Sequence, residues 1–155
     1  PIKWVDKKNL HITLKFLGWV EDRKVEDLTK SVADLVGGSG TFKVSFKGMG
    51  VFPDAKRPRV IWIGISEGEE KVKGIADKLE DELARQGYRE EEREFSAHLT
   101  IGRIKEKIDV GTLAKFVEEN VKRSFGEFIV KNVSIMKSTL MRTGPIYEEV
   151  KKVNL

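Results

Sequence analysis

The sequence predicts a mixed helix-and-strand chain made of two related halves, and three observations carry that reading. Strand-like period-2 segments alternate with helix-like segments along all 155 residues. The only two histidines occupy one shared setting, His11-Ile12-Thr13-Leu14 and His98-Leu99-Thr100-Ile101. Positions also recur at a nearly constant offset: His98 follows His11 by 87 residues, and Phe128, Val130 and Ile146 follow Phe42, Val44 and Val60 by 86. Thr makes up 7 of the 155 residues. Two histidines would both meet it at i+2 by chance in about 0.2 % of cases, so the pairing is treated as a motif.

Each element has its own signal. His11 to Phe16 alternates, which predicts a strand with His11, Thr13 and Lys15 on one face and Ile12, Leu14 and Phe16 toward the core. Val25, Leu28, Val32, Leu35 and Val36 fall at helical spacing within Glu21–Val36, and Gly37-Gly38 stops that helix. Phe42, Val44 and Phe46 alternate as a strand. Gly48-Met49-Gly50 lacks the rest of a dinucleotide fingerprint and reads as a turn or bulge. Phe52 to Pro58 is a loop and Val60 to Ile65 a short apolar strand. Glu69 to Gln86 is a second helix, with Val72, Ile75, Ala76, Leu79 and Leu83 inward and Gly87 at its end. Phe95 to Ile104 is the strand holding the second motif. Asp109 is the N-cap of a third helix through Val121, striped by Val110, Leu113, Phe116 and Val117. Phe128 to Met136 and Ile146 to Val153 are strands joined through Met141–Pro145.

Both halves therefore run motif strand, helix, strand, proline-containing turn, strand. Such a duplication sets the motif strands across a pseudo-twofold axis, with the histidines on opposite walls of one cleft. The expectation is one domain over 1–155 with two pseudo-symmetric lobes, carrying the motifs at 11–14 and 98–101.

Composition narrows the classes. With 39 % hydrophobic and 35 % charged residues the chain is globular. No apolar run approaches the roughly 20 residues of a membrane span, and no charged-then-apolar leader opens it. Without cysteine there is no disulfide, thiolate zinc site or cysteine nucleophile, which fits a reducing cytoplasm. A net charge of +4 suits a polyanion such as RNA and equally a solvated mixed surface. The abundance of Lys and Glu without Cys resembles thermophile compositions. A monomer is expected.

Histidine exchanges protons near neutral pH, so a matched pair suggests one acid and one base. A metal site is disfavoured: catalytic zinc usually takes three protein ligands, and neither motif holds Asp or Glu. No Gly-x-Ser-x-Gly elbow and no Walker-type loop occurs. Two imidazoles and two hydroxyls suit metal-free chemistry on a phosphodiester. One imidazole takes a proton from water and the other protonates the departing oxygen. Thr13 and Thr100 donate to the non-bridging oxygens as charge builds at phosphorus. Lys15 shares the face of His11 and Thr13. Arg103 reaches phosphate only if its strand ends or bulges at Gly102.

His11-Ile-Thr-Leu-Lys-Phe-Leu-Gly18 and His98-Leu-Thr-Ile-Gly-Arg103 resemble the paired HxTx motifs of the 2H phosphoesterases. Within these, the chain is most similar to the archaeal and bacterial RNA 2′,3′-cyclic phosphodiesterases, also called 2′-5′ RNA ligases (the LigT-like group). Gly50-Val-Phe-Pro53, Lys137-Ser-Thr-Leu140 and Gly144-Pro-Ile-Tyr147 share the resemblance. It implies a bilobal α+β fold, with antiparallel sheets lining a central cleft and helices outside. It implies hydrolysis of a terminal 2′,3′-cyclic phosphate to a 2′-phosphate without metal or cofactor, and reversible 2′-5′ ligation. It implies that His11 donates the proton to the leaving oxygen and His98 accepts one from water. The family usually carries a strand and helix before its first motif, a piece that the comparison of the two halves also finds missing here.

Lys137, Ser138, Thr139 and Tyr147 either line the cleft or form a polar strand edge. Ser138 and Tyr147 are expected to bind substrate, with Lys15 and Arg103. Phe52 either stacks on a base or packs in the core; Trp4, Trp19 and Trp62 are expected at packing or surface positions. The partners expected are RNA with 2′,3′-cyclic phosphate ends, tRNA halves among them, or small cyclic nucleotides. Two alternatives stand beside hydrolysis: an RNA-end or nucleotide-binding module with little turnover, and an enzyme that chiefly joins tRNA halves.

Overall fold

The computed structural model describes residues 1–155. Seven strands and three α-helices follow the order β1 (Ile2–Trp4), α1 (Asp22–Val36), β2 (Phe42–Phe52), β3 (Val60–Ile65), α2 (Glu69–Arg85), β4 (His98–Ile104), α3 (Val110–Glu119), β5 (Ser124–Val130), β6 (Asn132–Met141), β7 (Gly144–Asn154), with a single 3₁₀ turn at Lys7–Asn9. The fold is α+β, and every strand pair is antiparallel. Five strands form one sheet in the order β1-β4-β3-β2-β5; β6 and β7 form a separate hairpin.

The core lies where helices cover one face of each sheet. Ile61, Ile63 and Ile65 alternate into it from β3, as period 2 requires. Leu113 of α3 closes over Met49, Ile61 and Ile104, and Val72 of α2 over Val44, Ile65 and Ala97. The largest cluster joins Leu28, Val32 and Val36 of α1 to Ile75, Leu79 and Leu83 of α2 and to Val133 and Val153 at the base of the hairpin. Each such fully buried side chain contributes about 1.5–3 kcal/mol of transfer free energy. Asp109 caps α3 by accepting the amides of Gly111 and Thr112.

The β2–β5 register carries the 86-residue offset. Phe42 pairs with Val130 and Val44 with Phe128, so a shift of 86 exchanges the two pairs.

Several expectations need correction. His11 to Phe16 joins no ladder: its backbone has no strand partner, and apolar contacts hold it instead. Ile12 and Leu14 pack toward the core as expected, but Phe16 is 73 % exposed and Leu17 takes the inward place. The second-motif strand begins at His98 rather than Phe95, and α3 ends at Glu119 rather than Val121. The single strand expected over Phe128–Met136 is two, β5 and β6, divided at Lys131, where the chain leaves the five-stranded sheet for the hairpin. Gly48, at φ 82°, sits at the β2 register shift, so the Gly48-Met49-Gly50 segment is a bulge inside a long strand.

Candidate active site

The two motifs adjoin one apolar cluster. Ile12 and Leu14 pack against Val44, Ile65, Val72 and Ala97, and Ala97 directly precedes His98. The flanking polar residues of both motifs are thereby brought to the same region.

Each histidine is oriented in the same way. His11 Nδ1 lies 2.6 Å from the carbonyl oxygen of Asn9, and His98 Nδ1 lies 2.9 Å from that of Ser96. Both partners stand two residues upstream. A carbonyl only accepts, so Nδ1 carries hydrogen in both rings and Nε2 is left as the nitrogen that gains or gives a proton. The Thr13 and Thr100 hydroxyls make no hydrogen bond within the protein, whereas Thr29 and Thr112 bond to Val25 and Asp109. The motif threonines thus keep their donors for a ligand.

Strand register assembles the second-motif wall. Gly64 pairs with His98, Trp62 with Thr100 and Val60 with Arg103. Residues 60, 62 and 64 share one sheet face, so their partners share it too. This alignment depends on a bulge: the register shifts between Ile61 and Trp62, leaving Ile101 as the extra residue of β4. The condition set for Arg103 is therefore met one residue before Gly102, and Arg103 stands on the face of His98 and Thr100. It is exposed and makes no ion pair.

Aromatic rings floor this wall. Phe52 lies 5.0 Å from the His98 ring, edge to face, and 5.3 Å from Trp62. It is half-buried and faces the site, not the core. Trp62 lies across Gly50, where any Cβ would strike the indole. Its Nε1–H is buried without a partner.

The opposite wall is the hairpin. Ser138 pairs with Tyr147, so both face one way, and the Tyr147 ring lies 5.7 Å from His11. Lys137 and Glu148, and Thr139 and Ile146, face the other way. Lys15 is placed differently from expectation. Its side chain is 3 % exposed and paired with Glu80 of α2, with a second bond to the Arg89 carbonyl. That ammonium is committed to structure instead of to a phosphate. Burial raises the Glu80 pKa, but hydrogen bonds from Lys15 and the Glu91 amide outweigh it and hold the carboxyl below its ordinary value.

Sequence reasoning missed the carbonyls of Asn9 and Ser96, the role of Glu80, and the place of Trp62. One signal was present for Trp62: Val60, Trp62 and Gly64 interleave with three isoleucines, as a strand with one non-core face does. No three His, Cys, Asp or Glu side chains come together in a way that could hold a metal.

Residues 2–140 match the family described as the 2′-5′ RNA ligase superfamily. The chain belongs to that superfamily. Relatives named RNA 2′,3′-cyclic phosphodiesterase include those of Aquifex aeolicus, 37 % identical over 99 % of this chain and 81 % of the relative, and Methanocaldococcus jannaschii, 38 % identical over 97 % of this chain and 83 % of the relative. Among solved structures, TT0787 of Thermus thermophilus is similar in fold, with a TM-score of 0.83 at 24 % identity, covering 99 % of this chain and 82 % of the other. Escherichia coli LigT complexed with 3′-AMP gives a TM-score of 0.78 at 23 % identity, with 99 % and 80 % covered. This superfamily member therefore shares both sequence and fold with phosphodiester enzymes along nearly its whole length.

Proposed function

We propose that the chain is an RNA 2′,3′-cyclic phosphodiesterase, opening a terminal cyclic phosphate to a 2′-phosphate. The observation that carries this reading is the pair of identically oriented imidazoles, each with a free motif threonine beside it. His98 Nε2 takes a proton from water as the water oxygen attacks phosphorus. The P–O3′ bond breaks, and protonated His11 Nε2 gives its proton to O3′. Thr13 and Thr100 donate to the non-bridging oxygens. Arg103 stands on the same face, further along β4, as a cation for the RNA backbone; Ser138 and Tyr147 contribute contacts from the hairpin. Since both rings are held alike, the assignment of His11 as acid and His98 as base rests on the family resemblance.

The decisive assay uses a 2′,3′-cyclic phosphate substrate in EDTA. Turnover to the 2′-phosphate is expected, and a 3′-phosphate product would contradict the roles given. Tight binding of a 2′-phosphate end with no product would favour a binding module. Membership of a 2′-5′ RNA ligase superfamily supports a second reading. A 5′-hydroxyl replacing water as nucleophile yields a 2′-5′ phosphodiester at the same site. Adding an RNA acceptor with a 5′-hydroxyl, then analysing for joined product, separates joining from hydrolysis.

A further inference from the structure

Lys3 and Arg103 stand directly opposite one another on β1 and β4, and Arg103 shares its face with Thr100 and His98. Like charges directly opposite on neighbouring antiparallel strands repel. Neither cation has an acidic partner. The ion pairs of the molecule engage Lys15, Arg23, Lys43, Lys73 and Arg85, and neither Lys3 nor Arg103 takes part in one. The one side-chain bond of Lys3 goes to the neutral carbonyl of Thr143, 3.3 Å away in the hairpin turn. Arg57 and Arg59, on the loop between β2 and β3, add unpaired charge at the same end of the sheet. The Asp54 carboxylate nearby accepts the amides of Lys56 and Arg57. Positive charge is thus concentrated, unneutralised, at one end of the face that carries the second motif. A fold bears such repulsion where a ligand supplies the negative charge.

We propose that Lys3, together with Arg103, forms a second phosphate subsite that holds the phosphodiester on the 5′ side of the terminal nucleotide. The chain then selects RNA ends over free cyclic mononucleotides. This deepens the phosphodiesterase reading and rests on it. The spacing suits the role. Arg103 lies three residues beyond Thr100 with one looped out at the bulge, about 7–10 Å of strand, and Lys3 is one strand further across.

The test compares kcat/KM for a cyclic mononucleotide and for a trinucleotide ending in a 2′,3′-cyclic phosphate, in wild type, Lys3→Gln and Lys3→Arg. Gln keeps a donor for the Thr143 carbonyl and removes the charge. The wild type is expected to prefer the trinucleotide. Lys3→Gln should lower the trinucleotide value about 5–10-fold more than the mononucleotide value, and Lys3→Arg should keep the preference. The slope of log affinity for a 2′-phosphate-ended trinucleotide against log salt should fall by about 0.7 in Lys3→Gln. Equal losses on both substrates, or an unchanged preference and slope, would overturn the subsite. A wild type that turns over neither substrate would overturn the phosphodiesterase reading first. Turnover of both substrates with no dependence of either on Lys3 would remove this proposal alone.

Discussion

At the scale of single residues, the site depends on what each functional atom is left free to do. The two Nδ1 atoms are fixed on backbone carbonyls, and the motif threonines have no protein partner. Replacing either histidine by Ala is expected to lower kcat by about 10²–10⁴-fold, and Thr100→Val by roughly 10²-fold; steady-state kinetics with the fold checked by circular dichroism would show it. Gly50→Ala gives a sharper expectation. Its Cβ meets the indole of Trp62, so the ring must lift from the sheet and disturb Phe52 against His98. Reduced kcat with shifted tryptophan emission is expected, and an unchanged rate would contradict a supporting role for the aromatic floor. The paired His-x-Thr spacing was legible because it is written in the chain. The carbonyl partners and the placement of Arg103 were not, because they depend on turns before each motif and on one looped-out residue.

At the scale of elements, the first motif differs from the second in how it is held. The second lies in β4, bonded on both sides. The first has no ladder; Leu14, Leu17 and the buried Lys15–Glu80 pair hold it against α2. Alternation suggested a strand here because period 2 reports which side chains turn inward, and it says nothing about whether a backbone partner exists. Glu80→Gln would leave a buried ammonium without a counter-ion, at a cost of about 1–3 kcal/mol, and should raise the susceptibility of residues 11–17 to limited proteolysis. The Glu80 carboxyl titrates below its ordinary value in the folded chain. Its contribution is therefore complete above the unfolded-state pKa, near 4.5, and is lost as pH falls through the lower folded value. Denaturant midpoints of wild type and Glu80→Gln should accordingly converge in acid. A gap that persists well below that range would remove the ion pair as the cause.

At the scale of the whole molecule, the 86-residue offset links strands that lie side by side, β2 and β5. The unequal sheets were not legible, because the five-stranded sheet gathers strands distant in sequence and leaves β6–β7 as a lone pair. A two-stranded hairpin is marginal in water by itself. Val133 and Val153 anchor its base in the main core, but its outer half, from Met136 to Val150, is exposed apart from Gly144. Its side-chain ties across the site are Lys3 to the Thr143 carbonyl and Tyr147 against His11. Local stability should therefore fall from base to tip. Hydrogen exchange should show the amides of 136–149 opening well before those near Val133 and Val153. Gly144 sits at φ 124°, with any Cβ only 2.9 Å from Lys3 Nζ. Gly144→Ala would strain the turn by about 1–3 kcal/mol and displace that lysine. It should raise exchange at the tip, leave the base protected, and lower kcat/KM through the loss of Tyr147 from its place beside His11. Uniform protection along the hairpin, matching β2–β3, would show that the tip is as firmly held as the sheet and that its few ties are not what positions Tyr147.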